Sequence, residues 1–160
     1  MNDVRLEVLS QSKLAVELNP EQCKALASLI EIHDYQEGDV LVHERTADEN
    51  LQVIVKGSLG VIKNVGSPDQ ELLNTITAGN FAGELGFMDN TVRYASLVAL
   101  APTQTFTLSR TKLETLLEKE PRIVYNVMRA ILRVAHQVQY RLSMQQSELT
   151  NYLYKQQGRY

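Results

Sequence analysis

The sequence predicts an α+β fold, in which a jelly-roll-like β-roll lies between N-terminal helices and one long C-terminal helix. Three observations support this prediction. Leucines recur at helical spacing near the start, short β-branched segments separated by turns fill the middle, and an apolar four-three repeat runs near the end. A chain of 160 residues is long enough for one hydrophobic core, so we expect a single domain over residues 1–160.

Residues 1–31 are predicted to form helices that cap the core. Apolar side chains recur there at helix-like intervals, and the pair Asn19-Pro20 marks the start of a new helix. The apolar residues are Leu6, Leu9, Leu14, Leu18, Cys23, Leu26 and Leu29.

Residues 32–110 are predicted to form the roll. Gly66-Ser67-Pro68-Asp69 has the composition of a hairpin turn, and the stretch from Gly83 to Arg93 interrupts the strand pattern. So many short strands indicate a roll or a barrel. The predicted strands are Asp39 to His43, Leu51 to Lys56, Ser58 to Asn64, Leu72 to Thr77, Ser96 to Ala101 and Thr103 to Leu108.

Residues 111–157 return to a helical pattern. Thr111-x-x-Glu114 predicts a capping box for a short helix, and Pro121 is placed to begin the next one. That last helix, if it runs to Lys155, is about 50 Å long. A mostly apolar set of residues follows at alternating steps of four and three, as in a coiled-coil seam. They are Val124, Met128, Ile131, Ala135, Val138, Leu142, Gln145, Leu149 and Tyr152.

Two interpretations of the long helix are open. It either packs entirely on its own domain, or it pairs with the same helix of a second copy. A roll of this size can cover its beginning but hardly its whole length, so we expect a homodimer. The predicted seam runs through Met128, Ile131, Ala135, Val138 and Leu142, with Gln145 fixing the register.

One stretch suggests a ligand. Gly83-Glu84-Leu85-Gly86 is followed by Arg93 after a short polar connection. A fixed carboxylate accepts hydrogen bonds from sugar hydroxyls, and a guanidinium binds phosphate oxygens with its planar fork. A glycine lets backbone amides approach an anion. The residue types therefore fit a sugar-phosphate pocket, and the alternative is a turn with an ordinary surface ion pair.

The surroundings of this stretch resemble the phosphate-binding cassette of the cyclic nucleotide-binding domain family, in its catabolite activator protein-like form. The cassette, residues 81–96, reads Phe81-Ala82-Gly83-Glu84-Leu85-Gly86-Phe87-Met88-Asp89-Asn90-Thr91-Val92-Arg93-Tyr94-Ala95-Ser96. Upstream, Glu37-Gly38-Asp39 matches a turn of the family, and Leu51 to Ile62 looks like its central hairpin. The resemblance covers roughly residues 14–149.

The resemblance implies a ligand, cAMP or cGMP, and a set of contacts. Glu84 would accept from the ribose 2′-hydroxyl, Arg93 would pair with the cyclic phosphate, and the amides of Gly83 and Glu84 would support the same anion. Leu85, Tyr94 and Ala95 complete the cassette contacts. On the long helix, Val138 and Gln139 align with base-reading positions, and only Gln139 is able to make a polar contact there.

Two residues depart from the family pattern. Val92 stands where proline is common, and Tyr94 stands where a small residue usually follows the arginine. A phenol at that position either crowds the phosphate or contacts it. The implied function is a sensor or regulatory subunit that signals through movement of the long helix to an unidentified protein effector. A ligand-free dimerisation or scaffold module, or a sensor of another anion, is the alternative.

Other functions are not expected. The sequence has no Gly-x-Ser-x-Gly, Walker-type loop or Cys-x-x-Cys, which argues against an enzyme. His33, His43 and His136 form no His-x-His pair, so neither a metal site nor a cofactor is expected. Cys23 is the one cysteine of the sequence, so no disulfide within the chain is expected. The net charge of −3 argues against a large basic surface for nucleic acid.

The predicted location is the cytoplasm, away from membranes. No apolar run is long enough to span a bilayer, and the N-terminus lacks the apolar stretch of a signal peptide. Bacterial regulators of the resembled family continue from the long helix into a helix-turn-helix domain. The sequence shows none after that helix, so direct DNA binding through such a module is not expected.

Overall fold

A computed structural model of the chain describes residues 2–157. It begins with helix α1 (Asn2–Ser10), a single 3-10 turn (Lys13–Ala15) and helix α2 (Pro20–Ala27). Helix α2 starts as predicted, because the Asn19 side chain accepts from the Gln22 amide at 2.9 Å and the Gln22 side chain accepts from the Asn19 amide at 3.0 Å. This reciprocal pair satisfies two amides that the first helical turn leaves free.

The roll consists of two four-stranded antiparallel sheets. One has the order β1-β8-β3-β6 and the other has the order β2-β7-β4-β5. The strands are β1 (Glu31–Tyr35), β2 (Val40–Val42), β3 (Asn50–Lys56), β4 (Ser58–Lys63), β5 (Glu71–Thr77), β6 (Phe81–Ala82), β7 (Ser96–Ala99) and β8 (Thr103–Ser109). The predicted α+β roll is thus confirmed, and helix α3 (Glu84–Asp89) interrupts it between β6 and β7.

Six of these strands match the predicted ones to within two residues. The strands β1 and β6 were not predicted, because β1 carries four ionisable side chains in five residues and β6 has only two residues. Both form by pairing with stronger neighbours, β1 with β8 and β6 with β3. Long-range pairing of this kind leaves no local pattern in the sequence.

The predicted capping box at Thr111 is wrong. Helix α4 (Arg110–Glu114) begins earlier, and Ser109 caps it by accepting from the Lys112 amide. Thr111 instead donates its hydroxyl to Glu49, and the Glu114 carboxylate lies 3.5 Å from Arg110. Tertiary contacts therefore take up the two side chains on which the sequence pattern depended.

Helix α5 (Pro121–Gln157) has 37 residues, about 55 Å of helix. Its first four turns pack into a hydrophobic cluster with the N-terminal helices and the β3–β8 face of the roll. From residue 135 to residue 156 none of its side chains is buried. The buried residues of α5 are Ile123, Val124, Asn126, Val127, Ala130, Ile131 and Val134.

This packing corrects the predicted coiled-coil seam. Val124 and Ile131 belong to the core of their own domain, where Ile131 is 3% exposed, so neither is available to a partner helix. The apolar repeat of α5 predicts one continuous dimer surface, but the first part of the repeat packs into the core of its own domain.

Glu17 of the N-terminal segment binds the packed part of α5. The Glu17 carboxylate lies 2.6 Å from Arg133 and 2.8 Å from Arg129, and the Glu17 carbonyl accepts from Asn126 at 3.3 Å. The Arg133 hydrogen bond, together with the charge of Arg129, lowers the pKa of the Glu17 carboxyl. The helix is therefore held up to about Val134 and projects beyond it.

Candidate functional site

The Gly-Glu-Leu-Gly stretch forms the start of α3. Gly83 precedes the helix with a φ of +84°, in the left-handed region that favours glycine. Its carbonyl accepts from the Phe87 amide at 3.0 Å, and the Phe87 ring is fully buried. The buried phenylalanine fixes the helix on the roll, which sets the position of Glu84 at its first residue.

The Arg93 side chain lies beneath this turn. This side chain is only 9% exposed, and Nη2 donates to the carbonyls of Asp48 at 3.0 Å and Asn50 at 2.9 Å. The Asp48 carboxylate lies 3.7 Å from the same nitrogen. Since the protein supplies these contacts itself, the guanidinium is fixed without a ligand.

The two cassette glycines make this close packing possible. A Cβ atom on Gly83 would lie 2.4 Å from Nη1 of Arg93, and one on Gly86 would lie 2.7 Å from the Asp48 carbonyl oxygen. Both distances are shorter than van der Waals contact. Among the residues that the structure describes, Arg93 Nε is buried without a hydrogen-bond partner. The guanidinium thus retains donor capacity that the protein does not use.

The loop between β2 and β3 supplies one acceptor for Arg93, the first residue of β3 supplies the other, and the loop is itself held in place. Glu49 accepts from the hydroxyls of Ser109 and Thr111, each at 2.7 Å, and lies 3.5 Å from Arg110. These hydroxyl bonds, and then the nearby guanidinium, lower the pKa of the Glu49 carboxyl. The loop is therefore tied to the end of β8 and the start of α4.

A cavity of about 530 Å³ opens beside the cassette. This volume lies in the range of small-molecule sites. One wall, which we name the floor, is formed by residues 83–86 and 91–95. A second wall comes from β4 and β5, and the third, the α5 wall, comes from the long helix. The α5 wall consists of Ile131, Val134, Ala135, Val138, Arg141, Leu142 and Gln145.

Six of the seven predicted ligand residues line this cavity. They are Gly83, Glu84, Leu85, Arg93, Tyr94 and Ala95. Gln139 does not line it and is exposed on another face of α5. The sequence pattern did not identify Arg141, and it assigned Gln145 to the dimer seam. The helical repeat held the missing signal, because the α5 wall continues the face of Ile131 by steps of three and four.

Two further observations concern other functions. Within residues 2–157, no three histidine, cysteine, aspartate or glutamate side chains come together as metal ligands. No helix of the described chain combines the length and apolar character needed to cross a membrane.

Comparison with known proteins identifies the family. The model of the cyclic nucleotide-binding domain matches residues 32–120, more than half of the chain and all of the roll except its first residue. The chain belongs to the cyclic nucleotide-binding domain family. The resemblance on which the cassette assignment rests is thereby confirmed at the level of the family.

Characterised relatives fall into two groups. The chain is 30% identical over 109 residues to the cAMP-activated global transcriptional regulator CRP of Escherichia coli O6:H1, covering 68% of this chain and 50% of the regulator. It is 26% identical over 107 residues to cGMP-dependent protein kinase, isozyme 1, of Drosophila melanogaster, covering 65% of this chain and 14% of the kinase. The chain spans half or less of these relatives.

Solved structures agree on the fold. A cyclic nucleotide-binding domain from Methylobacillus flagellatus KT has a TM-score of 0.74 at 26% identity, covering 91% of this chain and 81% of that one. The regulatory subunit of a cAMP-independent protein kinase A from Trypanosoma brucei has a TM-score of 0.70 at 22% identity, covering 92% and 51%. The second likeness concerns the fold alone.

Proposed function

We propose that this domain is a cyclic nucleotide sensor or regulatory domain. The observation that carries the proposal is the floor, where a glycine turn places Glu84 above a buried, pre-positioned Arg93 at the edge of a cavity. Similar proteins named for activation by cAMP or dependence on cGMP support the ligand class. In this proposal the domain regulates and does not catalyse.

The proposed pose follows from charge. Arg93 binds the cyclic phosphate, because a desolvated guanidinium is a strong donor to phosphate oxygens. The amides of Gly83 and Glu84 support the same anion, and Glu84 accepts from the ribose 2′-hydroxyl. Leu85 and Tyr94 stand at the solvent side of the pocket, each more than 60% exposed, and Ala95 is buried beside them.

Signal transmission is assigned to α5. The helix supplies one wall of the cavity, and that wall lies mostly in its unburied part. A ligand that contacts both the floor and α5 favours the helix position in which both contacts form. Differential affinity for two helix positions is sufficient to shift their populations. An unidentified protein effector would detect that shift.

We also propose a homodimer, through a face of α5 that keeps Met128, Ala135 and Leu142 of the predicted seam. A repeat with steps of four and three begins in the packed part and continues along the projecting part, and two of its positions are the uncharged polar residues Gln139 and Gln146. Its apolar members are Met128, Leu132, Ala135, Leu142, Leu149 and Leu153. None is charged, and Leu132 is 69% exposed, so the face suits a second copy of itself.

Sedimentation tests the dimer. Leu132→Glu places two like charges at a desolvated two-fold contact and should yield monomers. Met144→Glu, on the far side of the helix, is the matched control and should leave the dimer intact. A wild-type monomer at about 100 µM, well above the dissociation constants of stable dimers, would refute this face.

Calorimetry tests the ligand class. We expect cAMP or cGMP to bind with a micromolar or lower Kd, and 5′-AMP to bind at least about tenfold more weakly because its phosphate lacks the cyclic geometry. If neither cyclic nucleotide binds, the domain is a ligand-free scaffold. If 5′-AMP or inorganic phosphate binds as tightly as either one, it is a sensor of another anion.

A further inference from the structure

The α5 wall of the cavity is apolar except at two adjacent positions. Ile131, Val134, Ala135, Val138 and Leu142 present hydrocarbon, whereas Arg141 and Gln145 present hydrogen-bonding groups. These two residues are four apart, so their side chains are neighbours on one face of the helix. A ligand that reaches this wall meets one localised polar patch on an otherwise apolar surface.

Arg141 differs from the other arginines of α5. Arg129 and Arg133 bind the Glu17 carboxylate, and Arg122 lies 5.8 Å from the centre of the Tyr125 ring. Among the residues that the structure describes, no carboxylate lies within 4.0 Å of the Arg141 guanidinium. Its fork of donors is therefore uncommitted and lines the cavity.

The floor and the α5 wall divide the ligand between them. In the proposed pose, Glu84 and Arg93 take the ribose and the phosphate, which leaves the α5 wall with Arg141 to meet the base. Guanine presents two adjacent acceptors, O6 and N7, which fit the two parallel N–H groups of a guanidinium. Adenine presents a donor, N6–H, beside N7, so the same fork meets an N–H group and loses a bond.

We propose that this pocket selects guanine over adenine. Arg141 donates to O6 and N7, and Gln145 accepts from N1–H through its side-chain carbonyl. The inference rests on the proposed function, since it concerns the base of the same cyclic nucleotide. Here Arg141 determines specificity, and the floor determines that a cyclic nucleotide binds at all.

Calorimetry with matched nucleotides tests the assignment. The wild-type protein should bind cGMP at least about tenfold more tightly than cAMP. Cyclic IMP keeps O6, N7 and N1–H and should bind within about threefold of cGMP, whereas a cGMP analogue with carbon in place of N7 should bind about tenfold more weakly. Arg141→Ala should bring cGMP to within about threefold of cAMP and leave cAMP affinity nearly unchanged.

The matched control is Arg122→Ala, which removes an exposed arginine from the same helix outside the cavity and should keep the preference. If the wild type binds cyclic nucleotides but favours cAMP or shows no preference, the guanine proposal is refuted while the proposed function stands. A cGMP preference that survives Arg141→Ala refutes the role of the guanidinium. If no cyclic nucleotide binds, both proposals fail.

Discussion

The floor of the cavity and its α5 wall are built in opposite ways. On the floor, the Arg93 guanidinium is buried and held by two backbone carbonyls, and two glycines allow α3 to lie directly on it. On the α5 wall, Val138, Arg141 and Gln145 are exposed and stand on a part of the helix that contacts no core. The floor is held by contacts within the protein, whereas the α5 wall beyond Val134 has no buried side chain.

We therefore expect the floor to determine how tightly a ligand binds and the α5 wall to determine which ligand is preferred. Pre-positioned charge contributes affinity without an ordering cost at the moment of binding. In the proposed function, the exposed side chains of the α5 wall contribute discrimination between ligands, and little packing holds them in one position. Substitutions on the floor should therefore change affinity for every ligand, and substitutions on the α5 wall should change preference.

The largest effect is expected for Arg93→Ala. Removing the guanidinium deletes the phosphate contact and leaves the carbonyls of Asp48 and Asn50 without their donor. The loss of one member of a buried charged pair costs about 3–5 kcal/mol, which is more than 100-fold in affinity. Isothermal titration with cAMP and cGMP measures it.

Arg93→Lys is the companion variant. An ammonium keeps the charge but not the planar fork, so partial recovery of binding is expected for both nucleotides. Equal binding by the wild type and Arg93→Ala would show that the phosphate lies elsewhere.

Gly83→Ala comes next, with Gly79→Ala as its control. Both glycines have a φ near +85°, so an alanine at either position carries a backbone penalty of about 1–2 kcal/mol. Only at Gly83 does the added methyl group collide with Arg93, because nothing lies within 4 Å at Gly79. Thermal melts should show the backbone loss in both variants and a further loss in Gly83→Ala, and titration should show lost binding in Gly83→Ala alone. Normal binding by both variants would mean that the close packing on Arg93 is dispensable.

Glu84→Gln should have a smaller effect, because shape is kept and only the charged acceptor is lost. We expect a loss of about 1.5–3 kcal/mol, roughly 10- to 100-fold in affinity. A 2′-deoxy nucleotide should weaken binding to the wild type and add little to the mutant defect. Additive losses in this double cycle would place the ribose hydroxyl away from Glu84.

The smallest effect is expected for the pH dependence of stability, through Glu49 in the loop between β2 and β3. The pKa of Glu49 is lowered from its ordinary value of 4.5, so its contribution to stability is present above that pH and is lost as the pH falls through the lowered value. Urea midpoints measured from about pH 6 to pH 3 should fall less steeply for Glu49→Gln than for the wild type. Glu17 and Glu31 also have lowered pKa values and titrate in both proteins, so the difference isolates Glu49. Identical slopes would contradict the bracing role.

Most residues of the floor could be predicted from the sequence, but fewer residues of the α5 wall could. The floor is a local motif, since Gly83, Glu84 and Arg93 lie within eleven residues and their types alone suggest a sugar and a phosphate. Its acceptors were not predictable, because Asp48 and Asn50 reach Arg93 only through the pairing of distant loops, in which the Arg45 amide donates to the Arg93 carbonyl at 2.7 Å. Backbone acceptors have no residue signature.

For the long helix, the sequence predicted the element but not the contacts of its side chains. Its length and apolar repeat were evident, but a repeat does not say which surface covers each position. Val124 and Ile131 are taken by the roll, and Val138, Leu142 and Gln145 line the cavity. The position of Gln139 outside the cavity follows from the same rotation, since it lies one residue, about 100°, from Val138.

The loss of buried side chains along α5 after Val134 would let the rest of the helix act as a rigid arm in the proposed function. The twenty-three residues after Val134 span about 35 Å. The pivot of a tilt would lie at the ion pair between Glu17 and Arg133. A tilt of about 10° there would displace the far end by about 6 Å, while the atoms at the pivot move by only a fraction of that distance. If α5 tilts as the proposed function requires, a small displacement at the cavity becomes a larger displacement at the end of α5, far outside the roll.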